Sequence, residues 1–424
     1  MDFALIIFLA MMLTFMVACF KFQLPVGVAM MLSAIAGLLT SGNGFSLRHL
    51  VEGGFGYVDT ILVIATAMIF MKAVTASGVL STLNFNIVKR FHDNKTLLLI
   101  MLMFFIMFPG MVTGSSTASV LTAGGLVAPI LISLGVPMVE TAAILAIGAM
   151  LGMIAPPVNI PAMIIGGGVD MPYTGFEIPL LTLTIPVAIF SAMYLGRRHL
   201  RDIDFVKLEK ELEIDTDADG GILMYLPLIL LIVMMIGGKV FPNSILNVGL
   251  PLTFMICALV AIFTGKKFNF YSISKEGVHD VLPVLSILIG VGMFIQVMTL
   301  TGVRGYIVLN ALSLPTILLF AAIAIMLPLF GSVSSYAAAS VLGVPFLMTL
   351  ITKNQIITAS SLSLIASLGD LMPPTALAGI FAAKVVGVED YKLVLRKTLV
   401  PALVFIVIGL AAIVFANPLS EILL

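Results

Sequence analysis

Charge is scarce in this chain: Asp, Glu, Lys and Arg make up 10% of 424 residues, and the two signs balance to a net charge of zero. Such a composition offers no basic surface for nucleic acid. Cysteine occurs twice, at Cys19 and Cys257, each inside an apolar run, which argues against a disulfide framework or a thiolate metal site. The four histidines, His49, His92, His199 and His279, sit in polar connectors without ligand-like spacing. They read as solvated loop residues, and no transition-metal site is expected. No glycine-lysine phosphate loop appears, so direct ATP coupling within the chain is disfavoured. No constellation of His, Asp and Glu lies at lipid depth, which makes a membrane enzyme the least favoured class, and no cofactor is expected.

What the chain has in abundance is apolar sequence: 61% of residues are hydrophobic and the mean hydropathy is +1.21. This is the composition of a polytopic, all-α membrane protein embedded in a lipid bilayer. The opening Met1-Asp2-Phe3 lacks the positive segment of a cleaved signal and leads directly into a span-length apolar stretch, so residues 3–20 are read as a retained first helix. Apolar runs follow at about 24–41, 56–76 and 97–112, separated by Lys21, by a loop at 41–53 carrying Arg48 and Glu52, and by a basic stretch from Lys89 to Lys95. The run at 97–112 covers roughly 24 Å as helix, short of a hydrocarbon core of about 30 Å.

That short run ends in Thr113-Gly114-Ser115-Ser116, and a second short run leaves toward Pro137. A re-entrant helical hairpin over about 97–134 fits, with two ordinary spans joined by a Gly-Ser turn as the plainer alternative. Residues 138–169 are long enough for one span but contain Pro156-Pro157, which cannot continue a helix. The expected result is a discontinuous helix. The pattern then recurs: Ser332-Val333-Ser334-Ser335 follows Pro328, and Asp370-Leu371-Met372-Pro373-Pro374-Thr375 follows that. The spacing is kept as well as the order. Ser334 and Ser335 stand to Ser115 and Ser116 almost as Pro373 stands to Pro156. A second hairpin is thus expected at about 313–352 and a second broken helix at about 355–386.

The chain therefore divides into a first repeat, 1–200, a polar linker, 201–221, with a short surface helix at 207–213, and a second repeat, 222–424. Lys89, Arg90 and Lys95 mark one loop as cytoplasmic, whereas its counterpart at 310–315 has no charge. Lys266, Lys267 and Lys275, and then Lys392, Arg396 and Lys397, likewise face weakly basic or acidic counterparts. Each basic loop lies on the side opposite its counterpart, as in an inverted-topology repeat with both termini outside, in the periplasm.

Two polar, helix-breaking pairs at lipid depth need a cavity or each other, because unsatisfied backbone groups in hydrocarbon cost several kcal/mol each. Helix N-termini at such breaks suit a carboxylate and free carbonyls suit a hard cation. The candidate substrate ligands are Thr113, Gly114, Ser115, Ser116, Asn159, Ser332, Ser334, Ser335 and Thr375. A lone Gly-Ser-Ser would more readily be a helix-packing motif, but its repetition with a proline pair favours a site. Asp370 is an intramembrane carboxylate, a cation ligand or proton carrier by default; pairing with Lys384 or a place in a watery vestibule is the plainer alternative. Lys72, Lys239 and Arg304 lie close enough to helix ends to snorkel and read as structural.

The runs Thr113-Gly114-Ser115-Ser116-Thr117-Ala118-Ser119 and Ala155-Pro156-Pro157-Val158-Asn159-Ile160-Pro161 resemble the large membrane subunit of tripartite ATP-independent periplasmic (TRAP) transporters, and more widely the ion transporter superfamily that includes the divalent anion–sodium symporters. The likeness covers nearly the whole length; the second half departs from it, with Met372 where the family usually has Thr before the proline pair and a more serine-rich hairpin. The resemblance implies an elevator-type secondary transporter of the bacterial inner membrane, with hairpins and broken helices moving against a scaffold. It places one sodium site at Ser115, Ser116, Ala155 and Pro156 and another at Ser334, Ser335, Asp370 and Met372, with the substrate between the tips. It also implies a small membrane subunit and a periplasmic substrate-binding protein as partners, and leaves a homodimer open. The resulting reading is sodium-coupled symport of a dicarboxylate, sugar acid or keto acid. Proton coupling through Asp370, or cation/proton antiport, is the alternative. A channel would need a continuous polar pore, which two separated breaks do not supply.

Overall fold

The computed structural model describes residues 2–42, 44–201, 221–241 and 243–424, so the expected surface helix at 207–213 lies outside the described residues. Among those described, all regular structure is helical. The first half supplies α1 (Phe3–Lys21), α2 (Val26–Thr40), α3 (Leu47–Phe55), α4 (Val58–Ala76), α5 (Val79–Phe91), α6 (Lys95–Thr113), α7 (Ser116–Ser133), α8 (Met138–Ile154), α9 (Ile160–Gly167) and α10 (Glu177–Gly196). The second supplies α11 (Leu226–Val240), α12 (Leu250–Val260), α13 (Phe270–Leu300), α14 (Val303–Leu312), α15 (Thr316–Gly331), α16 (Ser335–Thr349), α17 (Gln355–Ser367), α18 (Leu377–Val386), α19 (Tyr391–Val414) and α20 (Ala416–Leu423). Eight helices of the described chain are long and apolar enough to cross a membrane. The molecule is an all-α, polytopic membrane protein.

The two halves follow the same order, with one difference at the start of the long helices. The apolar run at about 281–300 belongs to a helix that begins earlier, at Phe270, because Lys275, Glu276 and Asp280 are helical. Hydropathy marks where a helix meets lipid, not where its hydrogen bonds begin. The matching segment of the first half reads as a loop in sequence, yet residues 47–55 form α3: Leu50 and Gly53 are buried while Arg48 and Glu52 pair outside at 2.7 Å. One turn of amphipathic helix needs only that spacing.

Packing separates two groups. In one, α13 lies along α2, α3 and α4, α1 packs on α2, and α12 joins α4 to α11. In the other, each hairpin (α6 with α7, α15 with α16) packs on the broken helix that follows it, α6 on α8 and α15 on α17. Small residues allow the close approach. A Cβ on Gly110 would lie 2.9 Å from the carbonyl carbon of Gly152, and one on Gly331 would lie 2.8 Å from the Ala366 carbonyl oxygen and 3.1 Å from Gly369 Cα. Each contact sets the first helix of a hairpin against the glycine four residues before a proline pair, Gly152 or Gly369, the membrane use of small residues at helix crossings.

The halves also interlock. The helix after each break packs on the other half's hairpin: α9 against the second and α18 against the first. Both contacts fall on a short π-helical turn, Val120–Gly124 in α7 and Ala339–Gly343 in α16. The two turns occupy equivalent places in the repeat, in the same register as the serines. Between the two packing groups, Phe15 of α1 stacks on Phe330 of α15 at 5.7 Å.

Candidate functional site

The hairpin tips are built by helix-capping chemistry. Gly114 ends α6 with φ 65° and donates to the Gly110 carbonyl at 2.7 Å; glycine takes that left-handed conformation without a Cβ penalty. Ser115 is then the N-cap of α7, its hydroxyl oxygen accepting from Ala118 N–H at 3.2 Å. Ser334 does the same for α16, accepting from Ala337 N–H at 3.3 Å. Serine at an N-cap satisfies one orphan donor of the helix start. The next residue in each hairpin, Ser116 or Ser335, is thereby the first helical residue, 2% exposed in both cases.

Those two serines meet on one carboxylate. Asp370, in the short turn Leu368–Leu371 that ends α17, is 5% exposed. Ser116 Oγ donates to its Oδ2 at 2.5 Å, and Ser335 stands beside the same carboxylate at the cavity wall. One hydroxyl thus comes from each half. With the carboxylate ionised, such a bond is about twice as strong as a neutral one. A second tie crosses beside it: Tyr336 Oη donates to the Gly114 carbonyl at 2.9 Å, 3.8 Å from Met153 Sδ.

The breaks hold the tips in place. Both proline pairs contain a cis peptide, Pro156-Pro157 and Pro373-Pro374. After the first, Val158 N–H donates to the Met111 carbonyl at 3.1 Å; after the second, Thr375 N–H and Oγ1 donate to the Ser332 carbonyl at 3.2 and 2.7 Å. Ala155 and Pro156 are buried, while Met372 is partly exposed.

A cavity of about 780 Å³ lies against the tips, lined on that side by Ser115, Ser116, Ser334, Ser335, Asp370 and Thr375. The structure brings these six expected residues together. Seven others of the expected set do not line it: Ala155, Pro156 and Met372 at the breaks, and Thr113, Gly114, Asn159 and Ser332. Asn159, fully buried, accepts from Ala162 N–H at 2.9 Å and donates to the Ile154 carbonyl at 2.7 Å and to Ser363 Oγ at 2.9 Å. Both of its amide donors are in use, so it stands as a strut between the two broken helices. Thr113 and Ser332 spend their hydroxyls on the Pro109 and Leu329 carbonyls at 2.7 and 2.6 Å, and Gly114 offers its carbonyl to Tyr336.

The facing wall comes from α2, α4 and α13: Val26, Met68, Met71, Val284 and Ile287 are apolar, and Lys72 and Asp280 are the charges. Lys72 is bonded to Glu276 and, at 2.6 Å, to Asp280. Lys72, Asp280 and Tyr336 are not among the expected site residues. A lysine within an apolar run is the available signal for the first, and snorkelling accounts for it in sequence; its partners lie in the other half of the chain. A second cavity, about 500 Å³, sits at the opposite end of α4 and is lined by Asp59, Thr60, Pro157, Tyr173, Glu177 and Lys239 among others. There Lys239 of α11 pairs at 3.2 Å with Glu177 of α10, a helix that packs on α6 and α8, joining the two packing groups.

Among the described residues no three His, Cys, Asp or Glu side chains come together to hold a metal. The oxygens at the tips suit a hard, weakly bound cation: serine hydroxyls, one carboxylate and the carbonyls freed at the breaks.

Residues 13–419 match the family described as tripartite ATP-independent periplasmic transporter, DctM component. No curated protein matches the sequence. Among solved structures the chain is similar to the YdaH transporter of Alcanivorax borkumensis, with a TM-score of 0.61 and 16% identity over 87% of each chain. It is also similar to MtrF of Neisseria gonorrhoeae, described as illuminating a class of antimetabolite efflux pumps, with a TM-score of 0.58 and 15% identity over 87% of this chain and 83% of that one. At such identities the likeness is one of fold.

Proposed function

Because the chain belongs to the DctM component family of tripartite ATP-independent periplasmic transporters, a family of membrane transport components that work with a small membrane subunit and a periplasmic binding protein, we propose that it couples sodium entry to uptake of an organic carboxylate across the bacterial inner membrane. The observation that carries this reading is the meeting of Ser116 and Ser335, one from each hairpin, on Asp370. An ionised carboxylate buried at this depth is costly without a counter-charge, and its partners among the described residues are hydroxyls, with no basic side chain. A sodium ion there would take Asp370, the serine oxygens and the carbonyls beside Pro156 and Met372 as ligands. With Asp370 neutralised, the N-termini of α7 and α16 are left free to attract the carboxylate of a substrate.

In this reading the two hairpins are re-entrant, and the hairpin and broken-helix group moves as one body against α1–α4 and α11–α13, an elevator. Two cavities at opposite ends of α4 support that reading. The larger lies at the Lys72 end, next to the basic loop containing Lys266, whose N–H donates to the Ser77 carbonyl at 2.9 Å. Basic loops face the cytoplasm, so this cavity is the inward one and both termini are periplasmic. The same hydroxyl-only environment of Asp370 would hold a proton, which keeps proton coupling as the second reading. The test is uptake into liposomes containing the protein with its small subunit and binding protein. Accumulation is expected only under an inward sodium gradient. Uptake unchanged without sodium that collapses with the proton gradient would assign the coupling to Asp370 protonation.

A further inference from the structure

The wall opposite the serine tips decides which carboxylates fit. Three charged side chains line the larger cavity, Lys72, Asp280 and Asp370, and Glu276 stands behind Lys72. No other Lys, Arg or His lines it among the described residues. Lys72 is already held by two carboxylates, Glu276 and Asp280. The group is therefore net negative, and a second anionic group on the substrate would find no free counter-charge. Like charges brought together out of water repel strongly. The rest of that wall is apolar, Met68, Met71, Val284 and Ile287 among its side chains, apart from Thr75, whose hydroxyl donates to the Met71 carbonyl, while the other hydroxyls are concentrated at the tips. A pocket polar at one end and apolar at the other orients an amphipathic ligand.

Resting on the carboxylate reading above, we infer that the substrate is a monocarboxylate with an apolar body: its single carboxylate at the N-termini of α7 and α16, and its hydrocarbon against Met68, Met71, Val284 and Ile287. A dicarboxylate would set its second charge beside Asp280. A sugar acid would leave hydroxyls unpaired on the apolar wall, and a buried polar group without a partner is costly.

The experiment is calorimetric titration of the detergent-purified full chain in sodium buffer with three probes: 4-methyl-2-oxopentanoate, succinate and gluconate. The branched keto acid is expected to bind roughly tenfold or more tightly than either of the others, the effect of burying about two further methylene groups. In the Glu276→Gln, Asp280→Asn double variant Lys72 is left as an unpaired cation, and succinate is expected to gain roughly tenfold while the keto acid changes little. Ile287→Arg, which adds a cation to the apolar wall and removes a side chain the hydrocarbon packs on, serves if the double variant does not fold: succinate is expected to gain roughly tenfold and the keto acid to weaken. Succinate or gluconate binding the unaltered protein as tightly as the keto acid would overturn the inference and leave the carboxylate site standing. Absence of binding by all three in sodium would overturn the carboxylate reading itself, and this inference with it.

Discussion

Asp370 and the serines that hold it carry the sharpest expectations. Asp370→Asn keeps volume and an acceptor for Ser116 but removes the charge, so coupled uptake should be lost while the purified protein still elutes as a folded species; wild-type uptake would reduce Asp370 to a packing residue. Ser116→Ala removes a hydrogen bond to a charged group, worth about 1.5–3 kcal/mol, so apparent sodium or substrate affinity should fall roughly 10- to 100-fold, and Ser335→Ala, beside the same carboxylate, should act in the same direction. Asn159→Ala should act differently, because its amide ties Ile154 to Ser363 and lines neither of the two cavities described: melting temperature in ligand-free detergent should drop, with little change in sodium dependence of whatever remains folded. Ser116, Ser335 and Asp370 are visible in sequence because polar groups at lipid depth must find partners. Sequence does not separate them from Asn159, Thr113 and Ser332, since residue chemistry alone does not say whether a hydroxyl or amide is spent on a nearby carbonyl or turned outward. The missed Lys72 is of the same kind: its meaning comes from Glu276 and Asp280 on a helix it meets only after folding.

Helices show a different balance. The hairpins and breaks are legible to within a few residues, 97–134 expected against 95–133 observed and 138–169 against Met138–Ile154 plus Ile160–Gly167, because serine, glycine and paired proline interrupt a helix in a way that local chemistry dictates. The π-helical turns at 120–124 and 339–343 have no such signature; they sit where α18 and α9 of the opposite half press on the hairpins, so they belong to tertiary packing. The amphipathic α3 escapes because a loop and a short surface helix have similar composition. At this scale the glycine crossings are the point of vulnerability. Gly331→Ala would set a methyl group 2.8 Å from a backbone oxygen, and backbone cannot give way as a flexible side chain can. Overpacking of this order costs about 1–3 kcal/mol, so Gly331→Ala and Gly110→Ala should both lower the melting temperature, and a melt equal to that of the unaltered protein would show that the crossings tolerate a wider separation.

For the molecule as a whole, repetition of the serine and proline motifs at nearly constant spacing is what makes the architecture readable, whereas the partition into two packing groups is not: it depends on which faces of α4, α6 and α13 meet. The Lys239–Glu177 pair spans those groups beside the smaller cavity. As an exposed ion pair it contributes little stability, about 0–1 kcal/mol, yet it marks a seam. With Cys19 and Cys257 replaced, a bifunctional thiol reagent bridging Lys239→Cys and Glu177→Cys should arrest uptake, and cleaving the bridge should restore it. Full uptake in the bridged protein would rule out relative movement there. The clasp of one carboxylate by both halves has a further consequence for energy conversion. With sodium bound at Asp370 as proposed, its loss would be felt by both hairpins in the same instant, so a half-loaded carrier would have mismatched tips on both sides rather than one. Carriers that disfavour half-loaded forms slip rarely, and the solute ratio a cell can hold across its membrane then approaches the limit set by the driving ion, with little of the gradient dissipated as leak.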